Sequence, residues 1–194
     1  ITEEDGNELT AWRVGRTSKL VDLNEQYCVK PLKLTTEGLR KELEYEIAIE
    51  KTKINVKIRL DEGSQFLDYR LEAAWTLLGE EGKGIPQLRF MVPCGYEMEN
   101  YRYTIPYGVI DRPPLAQDVP AMGLGCALPK DGKSALYLLS DCKYGFRGDR
   151  EGLSLNLIRG SYDPDPYPEI GDHIIRIAVG VCQPKEETLA LLAE

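Results

Sequence analysis

The chain has 194 residues, 29% of them charged and 42% hydrophobic, a balance that suits a globular protein and excludes a disordered one. A length in this range can bury roughly 70% of the unfolded surface. The formal charge of -8 disfavours a nucleic-acid partner or an anionic membrane, which rely on clustered Lys and Arg, and no apolar run is long enough to span a bilayer.

In chain order, "WRVG" at residues 12 to 15 is a candidate short strand, while 17 to 36 shows no clear period. Residues 1 to 36 are therefore left unassigned, as a candidate part of the fold that follows. From residue 37 the period is two: Leu39, Leu43, Tyr45, Ile47 and Ile49 alternate with Arg40, Glu42, Glu44, Glu46 and Glu50. A helix can be drawn through Leu39 and Leu43, but the alternation continuing to Ile49 favours a strand. Ile54, Val56, Ile58 and Leu60 make a second half-buried strand, "DEGS" at 61 to 64 a turn, and Leu67 to Leu77 a third, long strand. "GEEGKG" is a flexible connection into the strand "IPQLRFMVP". In "YTIPYGVIDRPP", residues 103 to 114, one strand is expected from Tyr103 through Val109, ended by Asp111, Arg112 and two prolines. "AMGLGCALP", "SALYLLSD", "GLSLNLIRG" and "HIIRIAVGVC" complete the strands. Many strands, Gly/Pro/Asp punctuation and few helical stretches predict an all-β sandwich of antiparallel sheets.

Position 1 is Ile, and the final "KEETLALLAE" reads as the start of an amphipathic helix or a linker over 185 to 194. Both features are expected of a piece of a longer polypeptide, with the sandwich occupying 37 to 184. Five scattered cysteines without a C-x-x-C pair indicate neither a disulfide framework nor a zinc cluster. Reduced, mostly buried thiols in a cytoplasmic protein are the expectation. One histidine, His173, does not build a typical multi-imidazole metal site.

The densest polar stretch is "SDCKYGFRGDREG", residues 140 to 152, expected to be a long loop or hairpin between two buried strands. Asp141, Lys143, Tyr144, Arg147, Asp149 and Arg150 combine donors, acceptors and a flat ring, the mixture that binds sugars through hydroxyls and C–H faces. A charged hairpin tip is equally what a solvated turn looks like. Arg159 ends a strand, where a guanidinium can fork onto a carboxylate or vicinal hydroxyls, or pair locally with Asp163 or Asp165. Those two acids invite a glycosidase reading, in which carboxylates ~5 to 9 Å apart do the chemistry. Prolines stiffen "DPDP", and 32 acidic residues make coincident pairs common, so that reading is set aside.

Together, "YTIPYGVIDRPP" and "LYLLSDCKYGFRGDREGLSLNLIRGSYDPDPYPEIGDHIIRIAVGV" resemble the C-terminal β region of family 38 glycoside hydrolases, the α-mannosidases of bacterial and vacuolar type. "INVKIRLDEGSQFLDYRLEAAW" resembles that family's pair of long strands, so the likeness covers most of residues 37 to 182. The resemblance implies a galactose-mutarotase-like supersandwich without catalytic residues of its own. It also implies a zinc-dependent retaining parent whose metal and nucleophilic aspartate lie in an N-terminal α/β barrel, so that no cofactor belongs to this chain. The implied partners are that barrel and an α-mannoside or oligosaccharide. Arg159 is carried over as the substrate-reaching arginine, with Asp141, Lys143 and Tyr144 of the "DCKYG" loop next. Tyr107 and Arg112 would form a rim. Where the family has a Trp-bearing segment, this chain reads "VPAMGLGCALPKDGKS". Two other readings stand beside this one. One is an independent carbohydrate-binding module using Tyr101, Tyr144 or Tyr162 as its platform, and the other is a supersandwich domain of another glycoside-processing enzyme.

Overall fold

A computed structural model describes residues 1–4 and 9–185. The chain is all-β and its sheets are antiparallel. In order come β1 (Thr2–Glu4), β2 (Thr17–Leu20), β3 (Cys28–Glu37), β4 (Arg40–Ile49), β5 (Thr52–Asp61), β6 (Phe66–Trp75), β7 (Ile85–Pro93) and β8 (Met98–Ile105). Then follow β9 (Gly108–Arg112), β10 (Val119–Pro120), β11 (Leu124–Pro129), β12 (Ala135–Ser140), β13 (Gly145–Gly148), β14 (Gly152–Arg159) and β15 (Gly171–Cys182). The helical alternative across Leu39 and Leu43 is not taken. A single short 3-10 turn, Glu25–Tyr27, capped by the Asn24 side chain, is the one helical element among the described residues. Apart from Lys185, the helix or linker expected at 185 to 194 lies outside those residues.

The strands bond in the order β10-β13-β14-β7-β1-β2 in a six-stranded sheet and β3-β4-β5-β6-β15-β12-β11-β8-β9 in a nine-stranded one. The chain divides into two compact units: Ile1–Arg59, Arg70–Arg89 and Leu157–Ile175 form unit 1, while Leu60–Tyr69, Phe90–Asn156 and the chain from Arg176 onward form unit 2.

Unit 1 follows the period-two pattern closely. Thr52, Ile54 and Val56 on β5 and Leu71, Ala73 and Trp75 on β6 are buried, while intervening charges stay wetter. Those charges pair across strands: the Arg59 Nε–Glu42 Oε2 contact is 2.5 Å, and Asn55 donates to Glu44 at 3.0 Å. Residues 1 to 36 contain β1, β2 and most of β3. The missing periodicity of 28 to 36 has a simple cause. Every residue of β3 is exposed, so no face of this edge strand is selected for burial. "WRVG" is turn and irregular chain rather than strand. Leu39, read as inward-facing, sits in the β3–β4 turn and is 71% exposed.

Unit 2 is built around aromatic side chains. Tyr101 and Tyr103 are buried on β8 with Phe146 on β13; the two tyrosine rings stack at 6.4 Å, and Tyr103 meets Phe146 at 6.1 Å. Leu124, Cys126, Ala135 and Tyr137 form a second buried cluster. The thiols are free, but only Cys126 is buried; Cys28 and Cys142 are exposed and Cys94 and Cys182 partly so, correcting the expectation of mostly buried thiols.

Candidate functional site

The expected single strand from Tyr103 through Val109 is a hairpin. β8 and β9 pair with Ile105 opposite Gly108, leaving Pro106–Tyr107 as the two-residue connection. Proline fixes its own φ, and two-residue hairpin loops favour a positive φ. Tyr107 supplies it, with φ 71°, although a side chain there costs about 1 kcal/mol. Its side chain stands fully in solvent. Arg112 does not share that tip, because the register sets it opposite Tyr101 at the far end of β9. The neighbouring Arg102 forks onto Asp111 at 2.7 and 2.8 Å.

Residues 140 to 152 are likewise not one loop. β13 lies inside the stretch, with a tight turn on either side. In the first turn Ser140 Oγ accepts the backbone N–H groups of Cys142 at 3.4 Å and Lys143 at 3.1 Å, the local side-chain bonding by which serine shapes turns. Asp141 and Tyr144 are exposed and Lys143 is half-buried. Partial burial and a hydrogen bond to Asp141 push the Cys142 thiol up, so it is poorly suited to act as a thiolate nucleophile. Arg147 is withdrawn from this group and pairs with Asp118 at 2.8 Å within unit 2.

Residues 121 to 123 tie the end of β8 to the turn between β12 and β13. Ala121 N–H donates to Tyr144 O at 2.9 Å, Met122 N–H to Thr104 O at 2.7 Å, and Ser140 N–H to Gly123 O at 2.8 Å. Gly123 is required there: its φ is 104°, and a Cβ would meet Ser140 O at 2.8 Å. The ends of β8 and β12 and the start of β13 therefore converge. Four of the five sequence-identified site residues, Tyr107, Asp141, Lys143 and Tyr144, lie at this end of unit 2, with Met122 exposed among them. Two rings, an acid and an amine on short, braced turns can hold a ligand's hydroxyl groups and apolar edge. Of the other proposed platform tyrosines, Tyr101 is fully buried, which removes it.

The fifth residue, Arg159, belongs to unit 1. Its guanidinium donates to Thr10 O at 2.5 Å and Arg13 O at 2.8 Å. Thr10 Oγ1 accepts the N–H groups of Tyr162 at 3.0 Å and Asp163 at 2.9 Å. Asp163 answers by accepting Leu9 N–H on Oδ2 at 2.6 Å and Ala11 N–H on its carbonyl at 2.7 Å. Sequence reasoning missed Thr10, whose partners are about 150 residues away, beyond any local pattern. Asp165 caps Tyr167 N–H at 3.0 Å. His173 is satisfied locally by Glu169 O at 2.7 Å. Among the described residues no three His, Cys, Asp or Glu side chains gather as a metal site.

The profile of a family described as "Glycosyl hydrolases family 38 C-terminal domain" matches residues 3–167. No curated protein matches the chain. Among solved structures, a glycosyl hydrolase family 38 protein from Enterococcus faecalis superposes with a TM-score of 0.70 at 10% identity, covering 85% of this chain and 24% of that one. An alpha-mannosidase from Enterococcus faecalis V583 gives 0.71 at 11% identity, covering 99% of this chain and 26% of that one. The chain thus spans about a quarter of the length of each.

Proposed function

Because this chain belongs to the glycosyl hydrolase family 38 C-terminal domain family, we propose that it is the non-catalytic β domain of a zinc-dependent, retaining α-mannosidase. It gives that enzyme a scaffold and loops that finish a sugar pocket begun elsewhere. The observation that carries this reading is the family match across most of the chain. The braced end of unit 2, with Tyr107, Asp141, Lys143 and Tyr144, supports it as the surface facing substrate or the N-terminal catalytic part. Arg159 is retained as a substrate-reaching candidate, although two of its donor nitrogens are already engaged by backbone carbonyls. Among the described residues no three His, Cys, Asp or Glu side chains gather as a metal site; the zinc is proposed to be held by the parent's N-terminal part, and no step is assigned to it. When bound, zinc holds sugar hydroxyls and polarises the reacting centre. The free thiols accord with a reducing compartment, and the cytoplasm is proposed.

The test is an assay with an aryl α-mannoside on the 194-residue chain alone and on the polypeptide that includes the sequence encoded upstream of Ile1. The chain alone is expected to turn over nothing. The longer protein is expected to be active, to lose activity to a chelator, and to weaken when Lys143 or Tyr144 becomes alanine. Turnover by the short chain, abolished by changing its own carboxylates, overturns the reading.

A further inference from the structure

The two tryptophans occupy opposite extremes in unit 1: Trp75 is completely buried and Trp12 is 73% exposed. An indole left in water forgoes one of the largest apolar burials a side chain can make. The backbone beneath Trp12 is nonetheless held fast. Trp12 and Arg13 N–H groups both donate to Leu9 O, at 2.9 and 3.0 Å, and Ala11 N–H is bound by Asp163 O at 2.7 Å. Arg159 grips the carbonyls of Thr10 and Arg13 from behind, and Thr10 is only 1% exposed. Leu9 enters the turn at φ 61°, a strained conformation for leucine that persists only where surroundings impose it. A turn fixed by a guanidinium, a threonine and an aspartate thus presents one bare aromatic face.

The surroundings define the partner. Ala11, Arg13, Val14 and Arg16 are exposed, so the chain next to Trp12 offers two arginines and one other large apolar group. A flat ring with exposed arginines close by in sequence suits a pyranose, whose C–H face stacks on indole while its hydroxyls accept hydrogen bonds. A ring carried on a backbone that is already fixed leaves only its own side-chain rotamers to be ordered on binding. We propose that Trp12 is the stacking platform of a sugar-binding site in unit 1, taking a mannopyranoside unit of an oligosaccharide. Arg159 acts there as a positioning residue, through the backbone of the turn. The choice of mannose rests on the function proposed above; the platform itself rests on the turn.

The two indole N–H signals of the 194-residue chain, read by 1H–15N NMR during titration, separate the tryptophans. With methyl α-mannoside and α-manno-oligosaccharides, the Trp12 signal is expected to shift saturably while that of Trp75 stays put. Trp12→Ala should abolish the response with an unchanged circular-dichroism spectrum, and Arg159→Ala should weaken it about tenfold, equivalent to roughly 1.4 kcal/mol. Saturation by gluco-oligosaccharides but not by mannosides upholds the platform and overturns the mannoside assignment. A Trp12 signal moved by no sugar overturns the platform, as does one protected only in the longer polypeptide, which assigns Trp12 to a domain contact. The aryl mannoside assay judges the parent's activity independently of all these outcomes.

Discussion

Arg147 Nε lies 2.8 Å from Asp118 Oδ1, with the two side chains only 12% and 8% exposed, and Asn156 Nδ2 donates to the other carboxylate oxygen at 3.4 Å. The arginine sits in a stretch that reads as a solvated, charged loop, yet β13 holds it largely out of solvent on the face opposite the fully buried Phe146. Removing one member of this incompletely buried pair leaves the other charge partly desolvated, at a cost of about 1–3 kcal/mol, less than for a fully buried pair. Arg147→Ala should therefore lower stability by about 2 kcal/mol in urea unfolding. The double variant Arg147→Met/Asp118→Leu should recover most of the loss. Removing Lys130 from its exposed contact with Glu97 should scarcely move the midpoint.

Gly148 closes β13 where a Cβ would lie 2.2 Å from Tyr101 Cγ. Tyr101 cannot retreat easily, since its hydroxyl donates to Asp149 O at 2.6 Å and Gly152 O at 3.1 Å. Gly148→Ala is expected to cost roughly 2–3 kcal/mol through overpacking. Gly145→Ala on the same strand meets only Asn156 Cβ at an ordinary 3.5 Å and should cost much less. Equal losses at the two positions would show that Tyr101 does not fill this space.

Burial pushes the hydroxyls of Tyr96, Tyr101 and Tyr103 up from their ordinary value. In the unfolded chain they ionise near pH ~10, while the folded protein keeps them protonated. Above that pH the native state binds more protons than the unfolded one, so stability must fall as pH rises. The thiols of Cys94 and Cys142, also raised chiefly by burial, act with the same sign from about pH 8.5. Urea midpoints should decline above pH ~8.5 and more steeply above ~10, where the tyrosines join. Tyr101→Phe should flatten the upper limb. An upper limb left unchanged by Tyr101→Phe would contradict the burial.

Most of the strands were legible because burial on one face leaves a period of two. β5, β6 and β12 could be drawn from Ile54, Val56, Leu71, Ala73 and Leu138, each of which the structure buries. The pattern failed where that cause was missing. β3 buries neither face and so carried no signal. Tyr107 kept the alternation going through what is in fact a reversal, because side-chain polarity does not report a backbone φ.

The ordered phrases around Ile105, Asp141 and Arg159 determined the family, and alternation determined the all-β class, because both are local properties of the chain. Only the tertiary structure decided which polar residues are functional candidates and which are struts. Arg147 and Arg150 look alike in sequence, yet Arg147 is held by Asp118 and Arg150 is exposed. Trp12 and Trp75 differ in the same way, one bared on a clamped turn and the other sealed in the core. The physical reason is distance along the chain. Thr10 and Asp163 fix each other across 153 residues, and no local spacing can encode a hydrogen bond whose partners meet only after the sheets have formed.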